Sequence, residues 1–321
     1  MITEPTVFIL GAGASAPYGF PVGSKLRKDI LTIPIDHNID RAKLSRSHPS
    51  YSKVWDYILE RYKEDNVKNF FEDLRRSGFS SVDAFLENRD EYIDLGKTII
   101  SLELIKYEDE NRLYVEDEGA WYQYLYHNFL RAPFAKFSEN NVVFLTFNYD
   151  RSLEQFFLNA IMSDYGKTDV EAIKLLESIP IIHLHGKLGN LPAESNNNSR
   201  NYHGGITPKN LDICRKGIKI IHEGIDEDEQ FQKAHKFIKG ARKIWFLGFG
   251  YDITNLKRLK LPELINNGTQ SLYGTTYKME YGEVINKVHS ALQAKIDLNN
   301  IIDKSGHDSL LYLRYFSNHI K

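Results

Sequence analysis

An α/β fold is what the sequence predicts: a mostly parallel sheet with helices on both faces and a helical insertion after the first strand. Three observations predict it. Short apolar runs that read as buried strands recur along the chain, and segments of helical spacing separate them. Each run also ends in a glycine-rich or polar cluster, as the carboxyl ends of strands in a ligand-binding parallel sheet do.

The first run is Val7–Leu10, bounded at once by Gly11, and it reads as a buried parallel strand ending in a tight turn. That turn, Gly11-Ala12-Gly13-Ala14-Ser15-Ala16, fits G-x-G-x-x-G/A. Its small residues let the backbone approach a pyrophosphate, and a helix starting after them would aim N–H groups at the phosphates. The same residues also suit a glycine-rich turn packed under a helix. Pro21–Ile30 follows as a short helix with Ser24 as N-cap. Ile30–Asp36 could be a second strand ending in an acid about 20 residues after the glycines, as a nicotinamide dehydrogenase requires, although Pro34 argues against a central strand.

From Tyr51 to Arg131 the pattern is helical. Val54, Trp55, Ile58, Leu59 and Tyr62 recur at three- and four-residue spacing, and Phe70, Phe71 and Leu74 continue it. The expected organisation is therefore a single domain over 1–321, with an inserted helical subdomain over 40–135. Ser81-Val82-Asp83-Ala84-Phe85-Leu86 reads as a capped helix start. Asn141–Phe147 is the second strand, ending in Asn148-Tyr149-Asp150, and Asp150 suits the cap of a helix from Ser152. Pro180–Leu184 ends in His185-Gly186, Lys243–Leu247 in Gly248-Phe249-Gly250, and Ser271–Tyr273 in Gly274-Thr275-Thr276. Lys187–Gly205 reads as a flexible polar loop, and Gly224–Gln230 as a solvated acidic run before the helix Phe231–Ile238. Val284, Ile285, Val288 and Leu292 mark a C-terminal helical closure over 281–321.

Composition bounds the function. With 41 basic and 43 acidic residues the net charge is -2, so no global field recruits nucleic acid or an anionic membrane. Cys214 is the single cysteine, which excludes an intramolecular disulfide and a Cys-cluster zinc site within one chain. No apolar run reaches the roughly 20 residues that span a bilayer, and no signal-peptide pattern opens the chain. A soluble cytoplasmic protein is the expectation.

Some residues are candidates for chemistry. His183 and His185 are two apart in a strand and would share a face, a spacing compatible with a metal pair, but no further ligands stand nearby in sequence. His183 reads as a satisfied core histidine and His185 as a candidate general base. Asn148 can offer a donor and an acceptor to a water or a ribose hydroxyl, or form an Asx-turn.

Taken in order, GAGAS with Pro17 and Gly19-Phe20-Pro21, then TFNYD, LHG and GFG, each after a strand, resemble the sirtuin superfamily. They look most like the SIR2-like domains of bacterial anti-phage defence proteins, as do SVDAFLE and the late YGTTY. The resemblance runs from about Val7 to Tyr277. It implies a Rossmann-like NAD-binding domain with Gly11, Ala12, Gly13 and Ser15 near the dinucleotide phosphates, and with Asn148 and Asp150 near the nicotinamide ribose. It makes His185 the catalytic histidine, places Gly248 and Gly250 on the adenosine side, and assigns Thr275 to the dinucleotide. Deacylases of this superfamily carry a four-cysteine zinc ribbon; with one cysteine, this chain is similar instead to the family's NAD glycohydrolases, with NAD as substrate and no zinc. The catalytic pair expected is Asn148, orienting water or ribose, and His185, taking a proton. Asp150 could stabilise positive charge or cap the next helix, and capping is the expected role. The helical insertion and aromatic-rich segments such as Trp121–Tyr126 offer surface for gating, although core packing explains them as well. A homo-oligomer with a separately encoded partner, such as a HerA-type ATPase or an Argonaute, is the expected assembly. A non-catalytic NAD or ADP-ribose-binding scaffold and an NAD-dependent oxidoreductase are the alternatives.

Overall fold

The computed structural model describes residues 1–33, 49–116, 119–194, 198–220, 228–265, 269–292, 301 and 306–320. Five strands form its centre: β1 (Thr6–Leu10), β2 (Val142–Thr146), β3 (Ile181–His183), β4 (Lys243–Leu247) and β5 (Ser271–Gly274). All pair in parallel, in the spatial order β3-β2-β1-β4-β5. The chain is thus α/β with a Rossmann-like parallel sheet, as its apolar runs predict. The order reverses between β1 and β4, which makes the carboxyl ends of those two strands the switch point where such sheets bind ligands.

Side-chain alternation divides the strands between two cores. Val7, Ile9, Val143, Leu145, Ile244 and Phe246 face one, packed by Phe231, Ala234 and Ile238 of the helix Glu229–Gly240 and by Leu256 of the helix Ile253–Arg258. Phe8, Leu10, Phe144, Trp245 and Leu247 face the other. There the register sets Phe144, Phe8, Trp245 and Tyr273 side by side across four strands. Their ring centroids lie 5.3, 5.9 and 4.1 Å apart in sequence across the sheet, each pair stacked. Such pairs add about 0.5–1.5 kcal/mol each beyond the area they bury.

The connection from β1 to β2 carries the helices α1 (Ala12–Ser15), α2 (Gly23–Leu31), α3 (Pro49–Tyr62), α4 (Glu64–Arg76), α5 (Val82–Leu86), α6 (Ile93–Ile105) and α7 (Tyr122–Leu125). Val54, Trp55 and Ile58 of α3 and Phe70, Phe71 and Leu74 of α4 are buried in the same cluster as Phe8 and Phe144. The insertion therefore shares its core with one face of the sheet. After β2 comes α8 (Ser152–Tyr165). The C-terminal helices Tyr281–Leu292 and Ser309–Tyr315 close the chain, and the Tyr312 hydroxyl accepts the Gly274 N–H at 2.7 Å, holding the end of edge strand β5. Among the described residues no helix is long and apolar enough to cross a membrane.

Several expectations are corrected. The residue before α2 is Val22, and Ser24 lies inside the helix with no side-chain cap. Ile30 and Leu31 end α2 and do not begin a strand; Pro34–Asp36 lie outside the described residues. Of the two explanations for Trp121–Tyr126, core packing holds for Trp121, Tyr122, Leu125 and Tyr126, which are all buried, while Gln123 is exposed. The Lys187–Gly205 segment is pinned where it is described. Buried Arg200 donates through Nη1 to Glu108 Oε2 at 2.6 Å, and buried Arg151 grips both oxygens of the same carboxylate at 3.0 Å. Arg151 also donates to the carbonyls of Asn190 and Arg200, at 2.9 and 3.0 Å. Most of the acidic run lies outside the described residues, but Asp228 caps the helix Glu229–Gly240 through the N–H groups of Gln230 and Phe231.

Candidate active site

The turn after β1 and the loop after β4 are joined backbone to backbone. Gly11 N–H donates to the Leu247 carbonyl at 3.1 Å and Gly13 N–H to the Gly248 carbonyl at 2.9 Å. A Cβ on Gly11 or Gly13 would stand 2.6 or 2.8 Å from that Gly248 oxygen. Gly248 itself has φ +56°, and a Cβ there would lie 1.9 Å from the Ala14 nitrogen. The glycines are thus required by the contact between two loops, and the Gly13 donor is spent inside the protein. The helix expected after them is the single turn α1, followed by a 3₁₀ turn, so it offers no extended macrodipole toward phosphates. The insertion braces this turn from behind: the Trp121 indole donates to the Ala14 carbonyl at 2.9 Å, and Tyr122 N–H to the Tyr18 hydroxyl at 2.7 Å.

Asn148 stands one residue beyond the last paired backbone of β2 and is fixed from four sides. Its N–H donates to Thr146 Oγ1 at 3.0 Å, and its Nδ2 to the Gly11 carbonyl at 2.9 Å and to Ser15 Oγ at 3.0 Å. Its own carbonyl accepts from His183 Nδ1 at 2.8 Å. Both side-chain donors point to acceptors inside the fold, so Oδ1 is the side chain's remaining hydrogen-bonding atom. Among the described residues nothing donates to it.

Asp150 is buried, and burial pushes its carboxyl above the ordinary carboxylate range against the opposing pull of the Ser152 and Ser15 hydroxyls. It accepts the Ser152 N–H at 3.1 Å, the capping role expected of it at the start of α8. Gly248 N–H donates to Thr275 Oγ1 at 2.8 Å, and Thr275 N–H to the Phe246 carbonyl at 2.9 Å. Thr275 therefore shapes the β4 loop. Gly250 is exposed, with open space where a Cβ would be.

The two histidines part. His183 ends β3, and both its ring nitrogens are bonded, Nδ1 to Asn148 and Nε2 to Glu154 Oε1 at 2.7 Å, as a satisfied core histidine should be. His185 lies past the strand, where alternation no longer applies. Its ring meets Phe147 edge-on at 5.2 Å, Tyr149 lies 6.4 Å away, and Phe249 packs on Phe147 at 5.5 Å. Among the described residues His185 Nε2 is buried without a hydrogen-bond partner. Burial first, and then the Arg258 charge, hold the His185 ring down at about 3, with Asp228 offsetting a little. The ring is neutral at physiological pH. Among the described residues no three His, Cys, Asp or Glu side chains come together as metal ligands.

Sequence reasoning missed the residues that frame this pair. Tyr149 donates its hydroxyl to Asp83 of α5, and Arg258 bonds Glu87, just beyond α5, at 2.9 Å. Glu154, in the first turn of α8, carries His183. A charged side chain directly after a strand end, as in Asp150-Arg151, was a usable signal of a buried network; the distant partners Glu108, Asp83 and Glu87 left none. No protein-family model matches the chain, and no curated protein matches it.

Proposed function

We propose that this protein is an NAD glycohydrolase, which cleaves the nicotinamide–ribose bond of NAD with water to give nicotinamide, ADP-ribose and a proton. The observation that carries the reading is the arrest of Asn148 on the glycine turn with only Oδ1 left to bond, at the strand-end edge that also carries buried His185, whose Nε2 has no partner among the described residues. The ordered motifs resembling SIR2-like defence proteins supply the substrate class and the setting, cytoplasmic depletion of NAD during phage infection.

The chemistry asks little of the side chains. The C–N bond breaks with its electron pair going to the ring nitrogen, which quenches the pyridinium charge, so no acid is needed at the leaving group. The site has to hold the ribose, tolerate an oxocarbenium-like transition state and place a water. Asn148 Oδ1 accepts from a ribose hydroxyl or from that water. His185 Nε2 accepts the neighbouring hydroxyl proton. A base held at about 3 transfers protons poorly near neutral pH, so the activity is gated: the ring has to gain exposure or a counter-charge before it acts as a base. Assembly into a homo-oligomer, or a partner such as a HerA-type ATPase or an Argonaute, supplies that change in this reading.

The test is incubation with NAD, following nicotinamide and ADP-ribose by chromatography, alone and in infected-cell lysate. Asn148→Ala and His185→Ala are each expected to lower turnover by about 100-fold or more while NAD still raises Tm. A fully active Asn148→Ala protein sinks the assignment. One observation favours a second reading: the Gly13 donor is engaged and His185 is poorly basic, as would suit an NAD or ADP-ribose-binding scaffold. Stabilisation by NAD with no turnover under any condition would select it.

A further inference from the structure

We propose that His183 and Glu154 are a positioning dyad for Asn148, in which Glu154 orients the His183 ring and the ring's Nδ1–H holds the Asn148 turn. Asn148 lies beyond the β2–β3 ladder, whose last pair is Thr146 with His183, so no strand backbone reaches its carbonyl. The His183 side chain does, at 2.8 Å. A carbonyl can only accept, which places a proton on Nδ1. On the other side Nε2 meets Glu154 Oε1 at 2.7 Å, so one further proton lies between ring and carboxylate.

Burial would raise the Glu154 carboxyl, but the His183 ring and the Lys187 ammonium, 3.7 Å away, outweigh it and hold the group at about 2. Lys187 is shared with Glu194 at 3.0 Å, and Glu154 helps raise the nearby Asp150 carboxyl. The His183 and Glu154 side chains are only 6% and 8% exposed. A buried pair of this kind is costly to desolvate, and apolar side chains of the same volume would pack this position as well. What they could not supply is a directed donor to the Asn148 carbonyl. With the amide already fixed on Gly11 and Ser15, that donor sets the last free direction of the turn and so aims Oδ1.

The catalytic consequence rests on the NAD glycohydrolase reading; the Nδ1 proton and the locking of Asn148 do not. Long-range ¹H–¹⁵N spectra of the whole chain near neutral pH, with the His183 signals assigned by their loss in His183→Gln, are expected to show Nδ1 protonated. A bare Nδ1 overturns the proposal in the wild-type protein itself, with no variant required to fold. In Glu154→Gln the Asn148 side-chain amide, assigned by its loss in Asn148→Ala, should broaden or shift; an unchanged signal in the folded variant overturns the positioning role. If the wild type releases nicotinamide, Glu154→Gln should lower kcat about 10- to 100-fold with KM within about threefold. Unchanged kcat in a folded Glu154→Gln overturns the role as well. Absence of wild-type turnover under every condition, infected-cell lysate included, overturns the glycohydrolase reading and leaves the two spectroscopic outcomes to decide this one.

Discussion

At the scale of single residues, the glycines of GAGAS show how one sequence pattern can serve two physical demands. Small residues after a first strand permit close approach of a phosphate, and they equally permit close approach of another loop. Here the approaching group is the backbone of Gly248, which no local pattern around Gly11 could announce. Gly13→Ala should cost about 1–3 kcal/mol through overpacking against that backbone. Gly248→Ala should cost more, about 2–4 kcal/mol, because its φ of +56° adds a left-handed penalty to a backbone clash at 1.9 Å. Gly250→Ala meets nothing within 4 Å and should change stability by less than about 0.5 kcal/mol. Urea unfolding of the three variants measures this ranking. Were Gly13→Ala to lose NAD binding with unchanged stability, phosphate approach would be the reason for the glycine.

At the scale of elements, the five-residue helix α5 is the instructive one. Its start was legible: Ser81 accepts the Ala84 N–H at 3.2 Å, as the SVDA sequence implies. A helix this short has no stability of its own. It is held by Phe85 against Phe70 at 6.0 Å and Tyr92 at 6.0 Å, and by Leu86 against Gly96, where a Cβ would stand 2.4 Å away. So docked, it presents Asp83 to Tyr149, whose ring lies 6.4 Å from His185, and sets Glu87 beside Arg258, whose charge acts on His185. The destinations of these two carboxylates were illegible because they depend on a tertiary contact between the insertion and two strand-end loops. The same holds for Glu108, Arg151 and Arg200, whose pairing turns an apparently solvated polar loop into a pinned one. Asp83→Asn and Tyr149→Phe are each expected to cost about 1–3 kcal/mol, a hydrogen bond to a charged group. The double variant should cost little more than one of them. Additive losses in the urea cycle would mean that the two side chains do not bond in solution and that α5 does not hold Tyr149.

At the scale of the whole molecule, the strand-end motifs were enough to foretell that Gly11, Asn148, His185 and Gly248 would lie along one edge of a parallel sheet, because apolar runs and parallel connection fix that edge. They could not foretell that the edge would be closed over His185, and closure shapes how this edge responds to acid. Surface carboxylates such as Glu171 are lowered as well, but at this buried edge the proton affinities lowered by their surroundings are those of His185, from 6.5 to about 3, and Glu154, from 4.5 to about 2. For both, the unfolded chain binds the proton first as pH falls, so the stability they contribute is complete above the unfolded value and is lost toward the folded one. Asp83 and Asp150, raised by burial, act in the opposite sense and partly mask this loss in the intact protein. The contribution of His185 is isolated by subtraction. The stability difference between wild type and His185→Asn should be constant above pH 6.5. Below it, the difference should move against the wild type by about 1.4 kcal/mol per pH unit as acid is added, toward a limit of about 4–5 kcal/mol near pH 3. Urea unfolding at a series of pH values measures it. A difference that stays flat through this window would mean that His185 titrates in the folded chain at its ordinary value. The ring would then reach solvent without a partner, and the gating attributed to its burial would lose its physical basis.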